Sequence, residues 1–483
     1  MPSLKSLFKD TAIYGMSSIV GRFLNYLLVP IYTAKLSAES GGYGIITNVY
    51  AYTALLLVIL TYGMETTFFR FANKEGEDPR RVYGTILASV ACTSALFVAL
   101  VLAFIGPLSG AMGYGDHPAY VWTMAVTVAI DAFQCIPFAY LRYQKKAVKF
   151  ATLKLLFIVM NIALNLVFFV WLPATGGQVP DVGYAFYINM ACTASVTLCF
   201  RRELTAVRWT LDRPLLRRML RYSWPILVLG VAGILNQAAD KILFPYIYPY
   251  ANGHEQLGIY SASAKIAMIM AMITQAFRYA YEPFVFGKSK DGDSRDTYAR
   301  AMLYFVVFTL LAFLMVMGGI GVLKYLIGRD YWSGLRVVPI VMAAEMMMGV
   351  YFNLSFWYKL TDKTIWGAWF SGIGCAVLIA ANVIFVPRYG YMACAWAGVA
   401  GYGTAMALSY AVGQRRYPIN YPLGTIARYA LLAAALYAGI CWSNGHLPLA
   451  GALALNALLV AVYAAATVRL LRHRKCKNQQ KQI

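Results

Sequence analysis

Long apolar runs recur along the whole chain, with short polar segments between them. A helix rises ~1.5 Å per residue, and the hydrocarbon core of a bilayer is ~30 Å thick, so runs of this length can cross it. The predicted spans are 11–34, 43–63, 82–105, 119–141, 155–172, 182–200, 223–247, 257–280, 302–326, 332–357, 365–386, 391–412, 426–442 and 447–471. The pattern predicts an all-α integral membrane protein with about 14 transmembrane helices.

Composition supports this prediction. Hydrophobic residues make up 60% of the 483 positions, charged residues only 13%, and the mean hydropathy is +0.59. A soluble domain carries about 25% charged and about 45–50% apolar residues. The balance therefore excludes a string of soluble domains.

Basic residues are distributed unevenly between the two sets of loops. Of the 42 Lys and Arg residues, 33 fall in one set of loops and tails, and five in the other. The five are Lys35, Lys324, Arg329, Arg336 and Arg388. The positive-inside rule then predicts a multi-pass membrane protein with both termini cytoplasmic. Topology and contact with anionic lipid explain the net charge of +22 without nucleic acid as a partner.

An internal repeat divides the chain. GGYGIITNVY at Gly41 is similar to EQLGIYSASA at Glu255, which sets an offset of 214 residues. The repeat pairs spans one to six with spans seven to twelve, and because six is even the two halves are parallel repeats. We expect an N-lobe at 1–210, a C-lobe at 211–425, and two further spans with a basic cytoplasmic tail at 426–483. Such halves enclose a cavity that can open to either side in turn.

Several kinds of chemistry are not indicated by the sequence. Seven of the eight cysteines lie in apolar stretches, and there is no CxxC, so neither a disulfide framework nor a zinc or other metal site is expected. The GKS at Gly287 lacks the upstream glycine of an ATP-binding loop, because position 282 is Glu282. No catalytic motif is present, and the predicted outer loops are short. We therefore expect a transporter rather than an enzyme, with no cofactor and with coupling to H⁺ or Na⁺ left open.

Two cations lie at comparable predicted depth in equivalent halves of the repeat. Arg22 follows the middle of the first span, and Lys265 lies in the outer half of the eighth. Charges at membrane depth are costly and are therefore functional candidates. Two cations facing a cavity suit an anionic substrate such as a phosphate or pyrophosphate. The alternative is pairing with a buried acid or extension toward the interface.

Four other polar residues are candidates for the cavity lining: Asn25, Asp240, Lys241 and Arg278. Asp240 and Lys241 are sequence neighbours, which do not face one another on a helix, so each is expected to have another partner or to meet the outer interface. Arg278 stands four residues before Glu282, a spacing that favours a local salt bridge.

Two acids occupy mid-span positions related by the same offset, Asp131 and Glu345. In transporters such carboxylates relay protons or hold Na⁺, and both are candidates for ion coupling. A protonated carboxyl that hydrogen-bonds to its neighbours is an equally good interpretation.

Three stretches resemble a known family. They are SSIVGRFLNYLLVPIYTAKL in the first span, GYGIITNVYAY followed by YGMETTFFRF in the second, and ILNQAADKILFPY with EQLGIYSASAKIAMIM and AFRYAYEPF across the seventh and eighth. The chain resembles polysaccharide exporters (oligosaccharide flippases) of the multidrug/oligosaccharidyl-lipid/polysaccharide superfamily. The resemblance extends over the whole length, but its residues are mostly apolar and small.

The resemblance implies two six-helix lobes, two added helices and a cationic cavity. It also implies that an undecaprenyl-pyrophosphate-linked oligosaccharide is moved from the inner to the outer leaflet of the bacterial cytoplasmic (inner) membrane for O-antigen, capsule or exopolysaccharide synthesis. Arg22 and Lys265 resemble, by helix and depth, the cations that meet the phosphates in such flippases. The implied partners are the lipid-linked oligosaccharide, membrane lipids and glycan polymerase or assembly proteins. Alternatives are a cation-coupled multidrug exporter, a lipid II flippase of the same superfamily, and a membrane-embedded polymerase or ligase.

Overall fold

The structure is a computed structural model, and all regular structure in its described residues is helical. It describes the backbone of residues 26–177, 180–288, 295–361 and 363–480. Side chains are described for residues 26–177, 180–278, 295–359, 361 and 363–470. The chain divides into two compact units, Met1–Gly258 and Ile259–Ile483.

The first unit is built from long helices joined by short connections. They are α1 (Leu28–Lys35), α2 (Gly42–Thr61, continued by Met64–Ala72), α3 (Pro79–Ala103), α4 (Pro118–Tyr143), α5 (Ala147–Leu166), α6 (Gly183–Leu198), α7 (Arg213–Ile247) and the first turns of α8 (Gly253–Lys288). Shorter helical segments are Ile105–Ala111, Val167–Trp171, Leu172–Gly176 and Arg201–Thr205.

The second unit contains the rest of α8 and the C-terminal helices. They are α9 (Arg295–Gly318), α10 (Val338–Leu354), α11 (Ile365–Tyr389), α12 (Tyr391–Arg416), α13 (Leu423–His446) and α14 (Leu449–Gln480). Between α9 and α10 lie a short helix, Ile320–Leu323, and two 3₁₀ segments, Lys324–Leu326 and Arg329–Val337; Phe356–Leu360 follows α10.

Eleven helical segments of the described chain are long and apolar enough to cross a membrane. α6 and α12 are not among them: α6 has only 16 residues, and glycines and tyrosines interrupt the apolar sequence of α12. α1 is described over only eight residues. The predicted all-α, multi-span membrane architecture is confirmed, whereas the count of fourteen stays a prediction.

Two helices that follow basic loops, α3 and α7, each have an aspartate that caps the first turn. Asp78 accepts a hydrogen bond from the Arg80 N–H at 3.0 Å ahead of Pro79, and Asp212 accepts one from the Leu215 N–H at 3.1 Å. Such caps satisfy backbone donors that the first helical turn leaves unpaired. The Leu215 N–H, helped by the Arg81 guanidinium, holds the pKa of Asp212 below its usual range. α7 therefore begins ten residues before the predicted span.

α2 is broken in the middle of its predicted span. Tyr62 and Gly63 both adopt left-handed backbone conformations, with φ of 31° and 71°. At Gly63 a side chain is excluded as well, because a Cβ would lie 2.9 Å from Ile226 Cγ2 of α7. The break sets the second half of α2, which carries Glu65, against α4 and α7.

Burial separates central from peripheral helices within each unit. In α4, 72% of the most apolar 18-residue stretch is buried, whereas the buried share of the corresponding stretch is 11% in α13 and 17% in α14. Polar side chains in the middle of α4 are therefore enclosed by protein, and α13 and α14 present most of their surface outward. An acid at mid-α4 needs polar partners at that depth, because an unpaired charge there is costly.

The helix positions follow the predicted repeat. Shifted by 214 residues, α3 falls almost on α9 and α4 falls on the segment that contains α10. This agreement supports a parallel repeat. The first compact unit, however, extends beyond the predicted boundary at 210 and includes α7. The lobes 1–210, 211–425 and 426–483 stay a prediction about the repeat.

Candidate functional site

Asp131 is a partly buried residue in the middle of α4. The Thr193 hydroxyl of α6 donates a hydrogen bond to Asp131 Oδ1 at 3.3 Å. One turn further along α4, Gln134 Nε2 donates to the Thr193 carbonyl at 2.6 Å and to Thr197 Oγ1 at 2.7 Å. The contact between α4 and α6 therefore contains a hydrogen-bonded set of polar side chains, of the kind that can hold a small cation or a proton.

Lys154 is the cation whose charge acts most directly on Asp131. The predicted span begins at residue 155, which left Lys154 in the preceding basic loop. In the structure α5 begins at Ala147, and Lys154 lies two turns inside it. The placement as a loop residue is therefore wrong. The Lys154 ammonium lies 4.0 Å from the centroid of the Phe138 ring, a cation–π contact that compensates part of its lost hydration.

Glu65 is a second acid near α4 that sequence analysis did not select. It forms an ion pair with Arg142, and the Cys135 thiol donates to Glu65 Oε2 at 2.9 Å. Arg142 also lies 5.0 Å from the Phe69 ring centroid. Both charged side chains are about one-third exposed, so the pair contributes at most about 1 kcal/mol. It positions α2 on α4 more than it stabilises the fold.

Asp240 and Lys241 interact with each other, contrary to expectation. Lys241 Nζ lies 3.1 Å from Asp240 Oδ1, and it also donates to the Gln237 carbonyl at 3.0 Å. The prediction that the two would not meet is wrong, because the long lysine side chain folds back along α7 to reach a carboxylate that does not face it.

The C-terminal part of α7 is tied to α2 by a buried amide. Asn48, almost fully buried, donates to the Lys241 carbonyl at 2.7 Å and accepts from the Tyr114 hydroxyl at 2.6 Å. Near the end of α7, the hydroxyls of Tyr52 and Tyr246 lie 2.7 Å apart. Buried amides with both groups satisfied hold helices in one register.

α2 also begins in direct contact with α8. Gly44 packs so closely that a Cβ there would lie 1.8 Å from the His254 carbonyl oxygen and 3.0 Å from the Gly258 amide nitrogen. Gly44 and Gly258 are equivalent positions in the sequence repeat. The end of α2 away from the arginine-rich loops is therefore closed against α8 within the first unit.

In the second unit the predicted residues lie on α8 and α10. Lys265 is partly buried, in a stretch of α8 whose neighbouring small residues are fully buried. The Arg278 guanidinium lies 5.0 Å from the Phe352 ring centroid, and Glu345 is a partly buried residue of α10. The side chain of Glu282 lies outside the described part, so the predicted Arg278–Glu282 salt bridge stays a prediction.

Two predicted site residues, Arg22 and Asn25, lie outside the described residues. Their pairing with Lys265 therefore stays a prediction, as do the roles of Asp131 and Glu345 in ion coupling. Among the residues that the structure describes, no group of three or more His, Cys, Asp or Glu side chains could hold a metal ion.

Comparison with known proteins identifies a family. The model of the family described as polysaccharide biosynthesis protein matches residues 7–280. The Lsg locus protein 1 of Haemophilus influenzae is 20% identical over 344 residues, which cover 67% of this chain and 78% of that protein. The family match extends over more than half of the chain and includes α1 to α7 and most of α8.

Solved structures with the same fold are membrane transporters. The lipid II flippase MurJ in an inward closed conformation matches with a TM-score of 0.73 at 14% identity, covering 95% of this chain and 99% of that one. An inward-facing multidrug resistance transporter of the MATE family of the MOP superfamily matches with a TM-score of 0.63 at 16% identity, covering 84% and 98%.

The family and the fold are those of transporters, so the prediction that the chain is not an enzyme is confirmed. The chain belongs to the polysaccharide biosynthesis protein family, crosses the membrane several times, and has the fold of transporters of the multidrug/oligosaccharidyl-lipid/polysaccharide superfamily.

Proposed function

We propose that the protein moves an oligosaccharide linked to undecaprenyl pyrophosphate from the inner to the outer leaflet of the cytoplasmic membrane, with both termini cytoplasmic. The product would supply synthesis of O-antigen, capsule or exopolysaccharide, and glycan polymerase or assembly proteins are the expected partners. One observation carries the proposal: a chain with a transporter fold belongs to a polysaccharide biosynthesis family.

Lys265 and Arg22 are the proposed phosphate-binding residues. Lys265 is a partly buried cation within a membrane-crossing helix, where a charge without a role would be selected against. An ammonium and a guanidinium together match the two phosphates of a pyrophosphate. Asn25, Asp240, Lys241 and Arg278 would supply polar groups around the glycan.

Ion coupling would pass through Asp131 in the first unit, with Glu345 as its counterpart in the repeat. The Thr193 hydroxyl and the Lys154 charge give the Asp131 carboxylate alternative partners to a transported H⁺ or Na⁺. Asp131→Asn should remove this exchange and reduce gradient-driven transport at least about tenfold, since one positioned ionisable group is lost. The effect is measured as movement of the lipid-linked oligosaccharide between the leaflets of proteoliposomes under an imposed H⁺ or Na⁺ gradient.

Asp181→Asn is the matched control for this variant, because Asp181 lies in the loop before α6. It should leave gradient-driven transport of the lipid-linked oligosaccharide unchanged. Equal transport of the lipid-linked oligosaccharide by Asp131→Asn and the wild-type protein under both gradients would exclude Asp131 as the coupling residue.

A lipid II flippase is the second candidate function. The fold is shared with a lipid II flippase over 95% of this chain and with a multidrug transporter over 84%, so the fold by itself is compatible with a lipid-linked substrate and with a small drug. Arg22 and Lys265 disfavour a cationic drug as the substrate, because like charges in a cavity repel.

Deletion of the gene tests these alternatives together. We expect loss of surface glycan, accumulation of the lipid-linked oligosaccharide on the cytoplasmic side and unchanged drug susceptibility, all restored by the gene on a plasmid. Unchanged glycan with increased drug susceptibility would instead identify a multidrug exporter. Failure to delete the gene unless another lipid II flippase is supplied would identify a lipid II flippase.

A further inference from the structure

The second unit contains a cavity of about 590 Å³ at the ends of α9, α13 and α14 that lie away from the basic loops. Its polar lining consists of Lys324, Arg336, Tyr437 and Asn444, and its apolar lining includes Met317 and Leu449. None of these residues belongs to the proposed transport site. The cavity lies within one unit and opens beside the peripheral helices α13 and α14.

The two cations of the cavity are unusual for their side of the membrane. Only five Lys and Arg residues are predicted on this side, and three of them lie in the loop from Lys324 to Arg336. Among the described residues, no carboxylate forms an ion pair with Lys324 or Arg336. Positive charge retained here without an acidic partner indicates an anion from outside the chain.

The wall that carries the cations is fixed by internal contacts. Trp332 Nε1 donates to the Lys324 carbonyl at 2.9 Å, and the Lys324 ammonium lies 4.5 Å from the centroid of the Trp332 ring. On the opposite wall, Asn456 Nδ2 donates to Asn444 Oδ1 at 2.9 Å and to the Gly318 carbonyl at 3.0 Å. The cavity is therefore preformed, so a ligand would bind at a low cost in ordering.

The surroundings place the cavity at the level of lipid headgroups. Tyr325 and Trp442 are more than half exposed beside it, and exposed tyrosine and tryptophan at helix ends mark the membrane–water interface. The ligand therefore has an anionic head, which meets Lys324 and Arg336, and an apolar part, which contacts Met317 and Leu449.

We propose that this cavity binds the phosphate headgroup of an anionic phospholipid of the outer leaflet. Lys324 and Arg336 bind the phosphate, and the acyl chains follow the apolar wall between α9 and α14 into the bilayer. The leaflet follows from the orientation proposed above, whereas the binding itself does not depend on what the protein transports. The lipid would fasten α13 and α14 to the rest of the second unit.

The test uses the full-length protein purified in detergent, with phosphatidylglycerol added and phosphatidylcholine as the neutral comparison. Retained lipid is counted by native mass spectrometry, and the melting temperature is measured in parallel. We expect Lys324→Gln/Arg336→Gln to retain at least about fivefold less phosphatidylglycerol than the wild-type protein and to lose its stabilisation by that lipid, since both charge-assisted contacts are gone. Lys324→Arg/Arg336→Lys, which conserves both charges, should retain the lipid.

Arg329→Gln/Arg388→Gln is the matched control, because it removes the same number of exposed cations from the same side without altering the cavity lining. It should bind phosphatidylglycerol as the wild-type protein does. Equal retention by the cavity variant and this control would overturn the proposal. Displacement of the lipid by excess inorganic phosphate, or stronger retention of undecaprenyl phosphate than of phosphatidylglycerol, would overturn the assignment to a phospholipid.

Discussion

Gly44→Ala is expected to open the contact between the first turns of α2 and α8 and to reduce transport about a hundredfold. A Cβ at this position would lie 1.8 Å from the His254 carbonyl oxygen, and the obstruction is backbone, which cannot rotate away. The two helix ends must separate, and overpacking of this kind costs about 3 kcal/mol. If the proposed transport uses alternating access and this contact must form in each cycle, that cost lowers the population of the closed state about a hundredfold.

Gly233→Ala provides the comparison, since Gly233 lies within α7 and a Cβ there would meet nothing within 4 Å. It should leave transport unchanged and raise stability slightly, because alanine favours helix over glycine by about 1 kcal/mol. The measurement is surface glycan in a deletion strain carrying each variant, with protein in the membrane determined by immunoblot. Wild-type glycan with Gly44→Ala would show that this contact does not form during transport.

Much of the fold could be predicted from hydrophobic runs alone. Each of the helices α1 to α14 contains or overlaps a predicted span, because a bilayer requires apolar residues over a full crossing. The ends were less accurate: α7 begins at Arg213 rather than at 223, since its first turns are basic and amphipathic rather than apolar. Helix length beyond the membrane leaves no hydropathy signal.

The candidate site was only partly predictable, for two physical reasons. Lys154 follows four other basic residues, so it was assigned to a loop; only the start of α5 at Ala147 shows that it lies inside the helix. Glu65 was not selected because its importance arises from the break in α2 at Tyr62, which sets it against Arg142. A positive φ at tyrosine has no sequence signature.

Conversely, spacing was a poor guide to the Asp240–Lys241 pair. Rules for neighbours on a helix describe the directions of Cβ atoms, and adjacent residues do diverge. A lysine side chain is long enough to bend back to a neighbouring carboxylate, as it does here at 3.1 Å. Gly44 and Gly258, which are equivalent in the repeat, also lie close together in the fold, a contact that the repeat itself did not predict.

Replacement of Arg22 and Lys265 by alanine is expected to abolish surface glycan while the protein remains in the membrane. If each cation makes a charge-assisted hydrogen bond to the pyrophosphate, each contributes about 1.5–3 kcal/mol. Loss of one should then reduce transport by at least about tenfold, and loss of both by at least about a hundredfold, if the two contributions add. Lys265→Arg should keep most activity, because guanidinium also binds phosphate.

The variants are best compared in the deletion strain by quantifying surface glycan and the lipid-linked precursor together. Arg388→Gln serves as the control, since it removes an exposed cation at the end of α11 and should leave both quantities at wild-type values. A flippase defect must lower surface glycan and raise the precursor, whereas a biosynthetic defect would lower both. Unchanged glycan in Arg22→Ala/Lys265→Ala would exclude these residues as the phosphate site, and the deletion phenotype would then still decide whether the protein is a flippase.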